Sequence, residues 1–172
     1  MLSDVNIETC TALNARENEG HEHGLQVRHN PVVASDGAMN DQPAVIRTLL
    51  DYYAAFNTFE VEAVLPYFHE PSLLMGPQGA LAAPTHNVLA TVFRTGIDSL
   101  RARGFGRSEL SVRRVESLSA SANLVTGVAI RYTVDGQELE RVGVTYVLHN
   151  ADSRWKIAVL IVHDPNDAAL TE

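Results

Sequence analysis

The sequence predicts an α+β domain in which three N-terminal helices pack on one face of a curved, mostly antiparallel sheet. Two observations lead to this prediction. Apolar residues recur at three- and four-residue spacing through three segments of the first half, which is the pattern of amphipathic helices. The second half alternates apolar and polar residues in four segments joined by short polar turns, which is typical of antiparallel hairpins.

The first predicted helix covers residues 43–57, PAVIRTLLDYYAAFN. Pro43 suits its first turn, because a backbone N–H at that position has no partner within the helix. Apolar residues then repeat every three or four positions, as expected when one face of a helix is buried. They are Val45, Ile46, Leu49, Tyr52, Tyr53 and Phe56.

A second, shorter helix is predicted in residues 59–70, FEVEAVLPYFHE. Pro71 is expected to end it, because the residue before a proline is disfavoured in α geometry. His69 and Glu70 then form its last turn, where a protonated imidazole complements the negative end of the helix dipole by about 0.3–1 kcal/mol. An acid–base pair formed by these two side chains is the alternative.

A small hairpin and a third helix follow. The segments SLLMG and GALAA flank the turn GPQG and are predicted to be strands. Thr85 is a suitable N-cap for a helix that runs to about Arg103, because its hydroxyl can accept a hydrogen bond from a free N–H. The sequence RGFG is expected to end this helix, since glycine adopts the left-handed geometry of C-caps.

The rest of the chain is predicted to form a four-stranded antiparallel meander. Its strand segments are ELSVRRVESLS, NLVTGVAIRYTV, ELERVGVTYVLHN and RWKIAVLIVHD. The short polar connections ASA, DGQ and NADS between them are typical of hairpins.

Length and composition indicate one domain with a polar extension. A chain of 172 residues, 45% of them hydrophobic, suffices for a single core. We expect residues 41–166 to form the domain, residues 1–40 to be a mobile extension, and residues 167–172 to be a C-terminal tail. Met39 stands just before the first helix and is a candidate for the physiological start.

Charge and cysteine usage argue against several classes of partner. A net charge of −8 provides no basic face for nucleic acid or an anionic membrane. Cys10 is the only cysteine, which rules out an internal disulfide and suits a reducing compartment. No apolar run approaches the roughly 18–20 residues needed to cross a bilayer. We therefore expect a cytoplasmic protein without nucleic-acid or membrane partners.

Two segments carry a family resemblance: YYAAFNTFEVEAVLPYF near the start of the domain and GVTYVLHNADSRWKIAVL near its end. Together with the order of elements, they resemble the NTF2-like superfamily and its SnoaL-like group over about residues 43–164. YFHEP and RYTVDG also resemble an uncharacterised bacterial subgroup. The resemblance implies a cone with a cavity open at one end, and a homodimer of cones paired sheet to sheet. The superfamily includes isomerases, cyclases, dehydratases, epoxide hydrolases and binding-only members, so the fold does not name a reaction.

The ketosteroid isomerases of this superfamily imply three functional positions. They use a tyrosine donor on the first helix, a carboxylate base after the second helix, and an acidic donor in the sheet. Tyr52 falls at the tyrosine position, where its phenol could polarise a carbonyl oxygen. Gly76 falls at the base position and Thr145 near the acidic one. Because two of the three groups are missing, this chemistry is not expected.

The epoxide hydrolases of the superfamily use an Asp–Arg–Asp set inside the cavity. Strand alternation places Arg141, Thr145 and Val147 on one face of the third meander strand. If Thr145 faces the cavity, Arg141 does so as well, near the rim. Arg131 and Tyr132 in the preceding strand point to opposite faces. No inward pair of aspartates emerges, so this hydrolase chemistry is not expected either.

Histidine is the remaining source of acid–base chemistry. His163 shares parity with Trp155 and Ile157 in the last strand, so it continues a buried stripe towards a cavity or an interface. His86 and His149 are expected at the surface. The histidines within residues 21–29 lack a scaffold that could fix coordination geometry, so we expect no metal and no cofactor.

Two functions remain open. The first is a homodimeric protein without catalytic carboxylates that binds a small apolar molecule. The second is a cofactor-independent isomerase, dehydratase or cyclase with Tyr52 and His163 as its catalytic groups. The ligand-binding candidates are Tyr53, Leu74, Met75, Tyr132, Arg141, Thr145 and Val147.

Overall fold

The structure, a computed structural model, describes residues 42–166. The predicted N-terminal extension, Met39 and the predicted C-terminal tail lie outside the described residues. The elements within the described range are α1 (Gln42–Phe56), α2 (Val61–Val64), a 3-10 turn (Leu65–Tyr67), β1 (Phe68–Gly76), β2 (Gly79–Ala83), α3 (His86–Ala102), β3 (Phe105–Ser119), β4 (Ala122–Thr133), β5 (Glu138–Ala151) and β6 (Arg154–His163).

The six strands form one sheet in the order β2-β1-β6-β5-β4-β3. The pairs β1–β2, β3–β4, β4–β5 and β5–β6 are antiparallel, whereas β1 pairs with β6 in parallel and joins the N-terminal hairpin to the meander. The helices pack against one face of this sheet. The predicted α+β class, with three helices on a mostly antiparallel sheet, is confirmed.

The core lies between the helices and the sheet, and aromatic rings fill its centre. The ring of Tyr52 stands 5.3–6.5 Å, centroid to centroid, from six other aromatic rings. Edge-to-face contacts at such distances stabilise a core beyond the burial of area. The largest side chains that are almost fully buried are Tyr146, Phe68, Leu49, Leu89, Leu148 and Ile157.

The second helix is shorter than predicted. Helical geometry ends at Tyr67, and Phe68 already has the extended angles φ −108° and ψ 150°. The reason is tertiary: β1 begins at Phe68 and obtains its backbone partners from β6, opposite Ile157. His69 and Glu70 are therefore strand residues, and the predicted complementarity of His69 to a helix dipole is wrong.

The third helix has the predicted ends. The hydroxyl of Thr85 accepts a hydrogen bond from the N–H of Val88 at 3.5 Å. Gly104 follows the helix with φ +82°, the left-handed geometry that glycine adopts without a steric penalty. No helix within residues 42–166 combines the length and the apolar character needed to cross a membrane.

Candidate functional site

A cavity of about 220 Å³ lies between α1, α3 and the sheet. It is smaller than the roughly 300–1,000 Å³ typical of pockets for drug-sized ligands, so it fits a small molecule. Most of its wall is apolar or aromatic. The lining residues are Tyr52, Tyr53, Phe56, Leu74, Val92, Phe93, Gly96, Ile97, Leu100, Ser108, Ala129, Arg131, Val144, Tyr146, Leu160 and Val162.

Three tyrosines provide hydroxyl groups at this wall. The hydroxyls of Tyr53 and Tyr146 share a buried hydrogen bond of 2.9 Å. Burial raises the pKa of Tyr53 to about 12, although the bond to Tyr146 and the charge of Arg131 act in the opposite direction. Burial also raises the pKa of Tyr146 well above its ordinary value. Both phenols are therefore neutral near pH 7, and the one that accepts in this bond keeps its own proton free to donate.

Tyr52, the catalytic candidate on the first helix, lies on the cavity wall. Burial raises its pKa well above the ordinary value, and the neighbouring Tyr53 adds to the rise. The positive charge of Arg131 opposes both effects. Its phenol thus stays protonated, which suits a hydrogen-bond donor and excludes a general base at neutral pH.

One charged side chain, Arg131, interrupts this wall. Its Nη1 donates to Oε1 of Glu140 at 2.5 Å, and Nη2 of Arg103 donates to Oε2 of the same carboxylate at 2.5 Å. Desolvation alone would raise the pKa of Glu140, but the hydrogen bonds and charges of the two arginines outweigh it and lower that pKa. Glu140 is therefore ionised and shared between two guanidinium groups.

Asn57 fixes the end of α1 beside the cavity. Its side-chain amide donates to the carbonyl of Ser108 at 2.9 Å and accepts from the N–H of Ser108 at 2.8 Å. This pairing mimics a strand partner and anchors the helix to β3, whose residue Ser108 belongs to the cavity wall. Because Ser108 contributes only its backbone to both bonds, substituting Asn57 is the change that would loosen the wall.

The structure brings three of the predicted site residues together, namely Tyr52, Tyr53 and Leu74. Five others, predicted on the side of the cavity, lie on the opposite face of the sheet. They are Met75, Tyr132, Arg141, Thr145 and Val147. The reason in β5 is its parity, because Val144, Tyr146 and Leu148 are the residues buried under the helices. The lining predicted for Thr145 and Val147 is thus corrected to Val144 and Tyr146.

Two of the displaced residues have other partners on that outer face. The Nε and Nη2 atoms of Arg141 donate to the carboxylate of Glu138 at 2.8 and 2.7 Å. The ring of Tyr132 lies under the guanidinium of Arg107, 4.1 Å from its carbon to the ring centroid. Both contacts are typical of an exposed, charged sheet surface.

His163 also lies on the outer face, because β6 contains a bulge. Leu148 pairs with Ile157 but Val147 pairs with Val159, so one extra residue, Ala158, switches the parity of the strand. The stripe that starts with the buried Ile157 therefore continues through Leu160, not through His163. The Nε2 of His163 lies 3.2 Å from the hydroxyl of Thr145, and its Nδ1 lies 2.8 Å from the carbonyl oxygen of Asp164.

His69 and Glu70 do not form an acid–base pair with each other. The Nε2 of His69 lies 3.3 Å from the carbonyl of His149, and the two imidazole centroids are 5.2 Å apart. Glu70 accepts a hydrogen bond from the backbone N–H of His86, at the start of α3. The ring of His86 contributes a further contact at 3.7 Å. Glu70 thus stabilises a helix N-terminus, where negative charge is favourable.

Sequence reasoning missed Arg131 and Tyr146 as cavity residues, although a signal existed. In β4, Val125 and Ala129 are buried under the helices, and alternation places Arg131 on the same face. In β5 the same rule joins Tyr146 to Val144. The comparison with isomerases led us to expect the face of β5 that includes Thr145 in the cavity, so neither Arg131 nor Tyr146 was predicted to line it.

The described part of the wall carries no carboxylate, because every residue that lines the cavity is aromatic, aliphatic, serine, glycine or arginine. Residues 42–166 also contain no cluster of three or more His, Cys, Asp or Glu side chains that could hold a metal ion. Among the residues that line the cavity, the groups available for chemistry are therefore phenols, one serine hydroxyl and one guanidinium.

A family model described as "NTF2-like protein (DUF6841)" matches residues 41–165. No curated protein matches the chain at a significant level. Eight solved structures that resemble it are 12–19% identical to it, so they show the fold alone.

Three of these structures illustrate the range of proteins that share the fold. An NTF2-like protein of unknown function from Shewanella oneidensis has a TM-score of 0.60 and 16% identity over 71% of this chain and 98% of its own. A ketosteroid isomerase-like protein from Erwinia carotovora has a TM-score of 0.56 and 19% identity over 72% and 95%. A protein of unknown function with a cystatin-like fold from Nostoc punctiforme has a TM-score of 0.59 and 12% identity over 72% and 90%.

Proposed function

Because the chain belongs to the NTF2-like protein family DUF6841, whose model matches most of its length, we propose that it is a homodimeric protein that binds a small, largely apolar molecule. The observation that carries the proposal is the cavity of about 220 Å³ with an aromatic and aliphatic wall. Concave apolar sites with a few convergent polar groups are the usual sites of small ligands. Here the polar groups are the phenols of Tyr53 and Tyr146 and the guanidinium of Arg131.

The proposal of binding without catalysis is supported by the chemistry of the wall. A proton-abstracting isomerase needs a base, and the described wall offers no carboxylate or imidazole. His163, the predicted acid–base group, lies on the outer face beside Thr145. The phenols have raised pKa values and hold their protons. Such a site holds and orients a ligand by contacts and donated hydrogen bonds.

A cofactor-independent enzyme is the second candidate, and the position of Tyr52 favours it. A neutral phenol on a dry wall can stabilise a developing oxyanion. Tyr52→Phe removes that donor and keeps the ring contacts. If a substrate is found, this variant should lose turnover; unchanged turnover and unchanged ligand affinity would remove Tyr52 from both functions.

The homodimer is proposed from an apolar strip on the outer face of the sheet. The strip runs across four strands, because residues paired in register project from the same face. Its members are Leu73, Met75, Leu124, Val147, Val159 and Ile161, connected by the pairs Leu73–Val159, Met75–Ile161, Val147–Val159 and Leu124–Val147. A second copy of the same strip would cover these side chains and remove them from water.

The binding function is tested by closing the cavity. Gly96 in α3 is exposed and lines the cavity, and a Cβ at this position meets no atom within 4 Å. Gly96→Phe should therefore fold and narrow the cavity, whereas Thr95→Phe adds the same ring at an exposed position outside the lining. We expect the fluorescent neutral probe 1-naphthol to bind the wild type and Thr95→Phe alike.

Gly96→Phe should lower the affinity for 1-naphthol by about tenfold or more, because a loss of 1.4 kcal/mol of contacts already corresponds to tenfold. Affinity is measured by fluorescence titration, and folding by circular dichroism. Equal affinity of all three proteins would place the probe outside the cavity and contradict the proposed function.

A further inference from the structure

Arg131 is an unusual member of the cavity wall. It follows Val125 and Ala129 on the helix-covered face of β4, so an apolar stripe ends in a guanidinium group. Its side chain is only 20% exposed. A charged side chain at this depth is costly unless its charge and its donors are paired.

The charges around Arg131 do not balance. Glu140 is its carboxylate partner, but Glu140 also pairs with Arg103 at the same distance of 2.5 Å. Two guanidinium groups thus share one carboxylate, and the described lining adds no further negative group. The local excess is one positive charge at the edge of an apolar cavity. Its field reaches the phenols, because the charge of Arg131 lowers the pKa of Tyr52, Tyr53 and Tyr146 against the stronger effect of burial.

One hydrogen-bond donor of Arg131 also lacks an acceptor. Its Nη1 is used by Glu140, whereas its Nε is buried and has no hydrogen-bond partner among the described residues. Buried donors in folded proteins are almost always paired with an acceptor. The missing acceptor and the missing negative charge are on the same side chain, next to the cavity.

We propose that the ligand of this cavity is a small apolar carboxylic acid whose carboxylate pairs with Arg131; the inference rests on the proposed binding function and names its ligand class. A carboxylate is planar and presents two acceptor oxygens, which matches the fork of N–H donors on a guanidinium. The apolar part of the molecule then packs against the aromatic and aliphatic wall. A water molecule could accept from Nε, but it would leave the excess positive charge in place.

The test compares a matched pair of fluorescent probes. The anion 1-naphthoate and the neutral 1-naphthamide share the ring system and differ in the charge of the head group. At pH 7 we expect the wild-type protein to bind 1-naphthoate at least tenfold more tightly, since a charge-assisted hydrogen bond in a poorly solvated site has about that effect. In Arg131→Gln the two probes should bind with about equal affinity, because the preference for the anion depends on the guanidinium charge.

Three further variants test the charge excess. Glu140→Gln removes the shared carboxylate and should raise the preference for 1-naphthoate above that of the wild type. Arg103→Gln leaves Glu140 to Arg131 alone and should lower it. Arg141→Gln is the control, because it removes the same charge from the outer face, where Arg141 pairs with Glu138; its preference should equal that of the wild type. These variants keep the test decisive if Arg131→Gln does not fold.

The outcomes distinguish a failure of the carboxylate proposal from a failure of the proposed binding function. Equal binding of the acid and the amide by the wild type, or a preference that none of the cavity-side variants changes, overturns the carboxylate proposal and leaves a neutral-ligand pocket. Failure of both naphthyl probes and of 1-naphthol to bind contradicts the proposed function, and the carboxylate inference fails with it.

Discussion

At the scale of single residues, the hydrogen bond between Tyr53 and Tyr146 shows how a polar contact can occupy an apolar core. Tyr146 is 1% exposed and Tyr53 is 7% exposed, so neither hydroxyl has ready access to bulk water. One hydroxyl donates to the other across 2.9 Å. The pair therefore joins α1 to β5 while leaving the rings to pack with Tyr52.

This pair leads to a prediction for a double-mutant cycle. Tyr53→Phe or Tyr146→Phe alone should lower the free energy of unfolding by about 1–2 kcal/mol, because each leaves one buried hydroxyl without its partner. The double variant should lose less than the sum of the two, since no orphaned hydroxyl remains. Denaturant unfolding measures all four proteins. Simple additivity of the two losses would show that the hydroxyls do not interact.

At the scale of elements, α3 contains one glycine that the helix does not require and is followed by one that it does. Gly96 lies inside the helix with open space around its missing Cβ, whereas Gly104 follows the C-terminal end at φ +82°. The first lowers the intrinsic stability of the helix, and the second provides left-handed geometry at low cost. The cavity supplies a reason for Gly96, because any side chain at this position would restrict access to the site.

The two glycines should respond to alanine in opposite directions. Gly96→Ala should raise the free energy of unfolding by about 0.5–1 kcal/mol through helix propensity. Gly104→Ala should lower it by about 1 kcal/mol or more, because alanine is strained at positive φ. Denaturant unfolding compares both variants with the wild type. A destabilised Gly96→Ala would mean that the space around this position is not open.

The elements also show what could be predicted from the sequence. The periodicity of α1 and α3 and the turns of the meander depend on local patterns, so their positions agree with the prediction to within a few residues. The bulge at Ala158 and the early end of α2 depend on pairing between β1, β5 and β6, which no local pattern contains. The bulge places His163 on the outer face, whereas the expectation for Thr145 followed the comparison with isomerases; Tyr52, Tyr53 and Leu74 line the cavity.

At the scale of the whole molecule, the proposed dimer uses the face opposite to the cavity. The helices cover one face of the sheet, and the apolar strip that includes Val147 and Ile161 lies on the other face. In the proposed dimer, binding and assembly would therefore use separate surfaces and should be separable by mutation.

Introducing a charged side chain into the apolar strip tests the proposed dimer. Ile161→Lys should convert the dimer into a monomer, because a lysine in an apolar interface would lose its hydration without a partner. Leu118→Lys is the control: Leu118 is 54% exposed on β3 and is not part of the strip. Light scattering at micromolar concentration measures the mass, and 1-naphthol titration should give unchanged affinity. A wild-type protein that is already monomeric at this concentration would contradict the proposed dimer.

The parallel pairing of β1 with β6 has a consequence for the order in which the chain can fold. Leu74 pairs with Leu160, so the junction between the N-terminal hairpin and the meander closes only between residues that are far apart in the chain. During synthesis, the hairpin of β1 and β2 must wait for the last strand to leave the ribosome before it gains its neighbour. Long-range pairing of this kind slows folding, because the entropy of closing a large loop is lost before the contacts form. Until then the first half of the domain exposes apolar surface that a chaperone could bind.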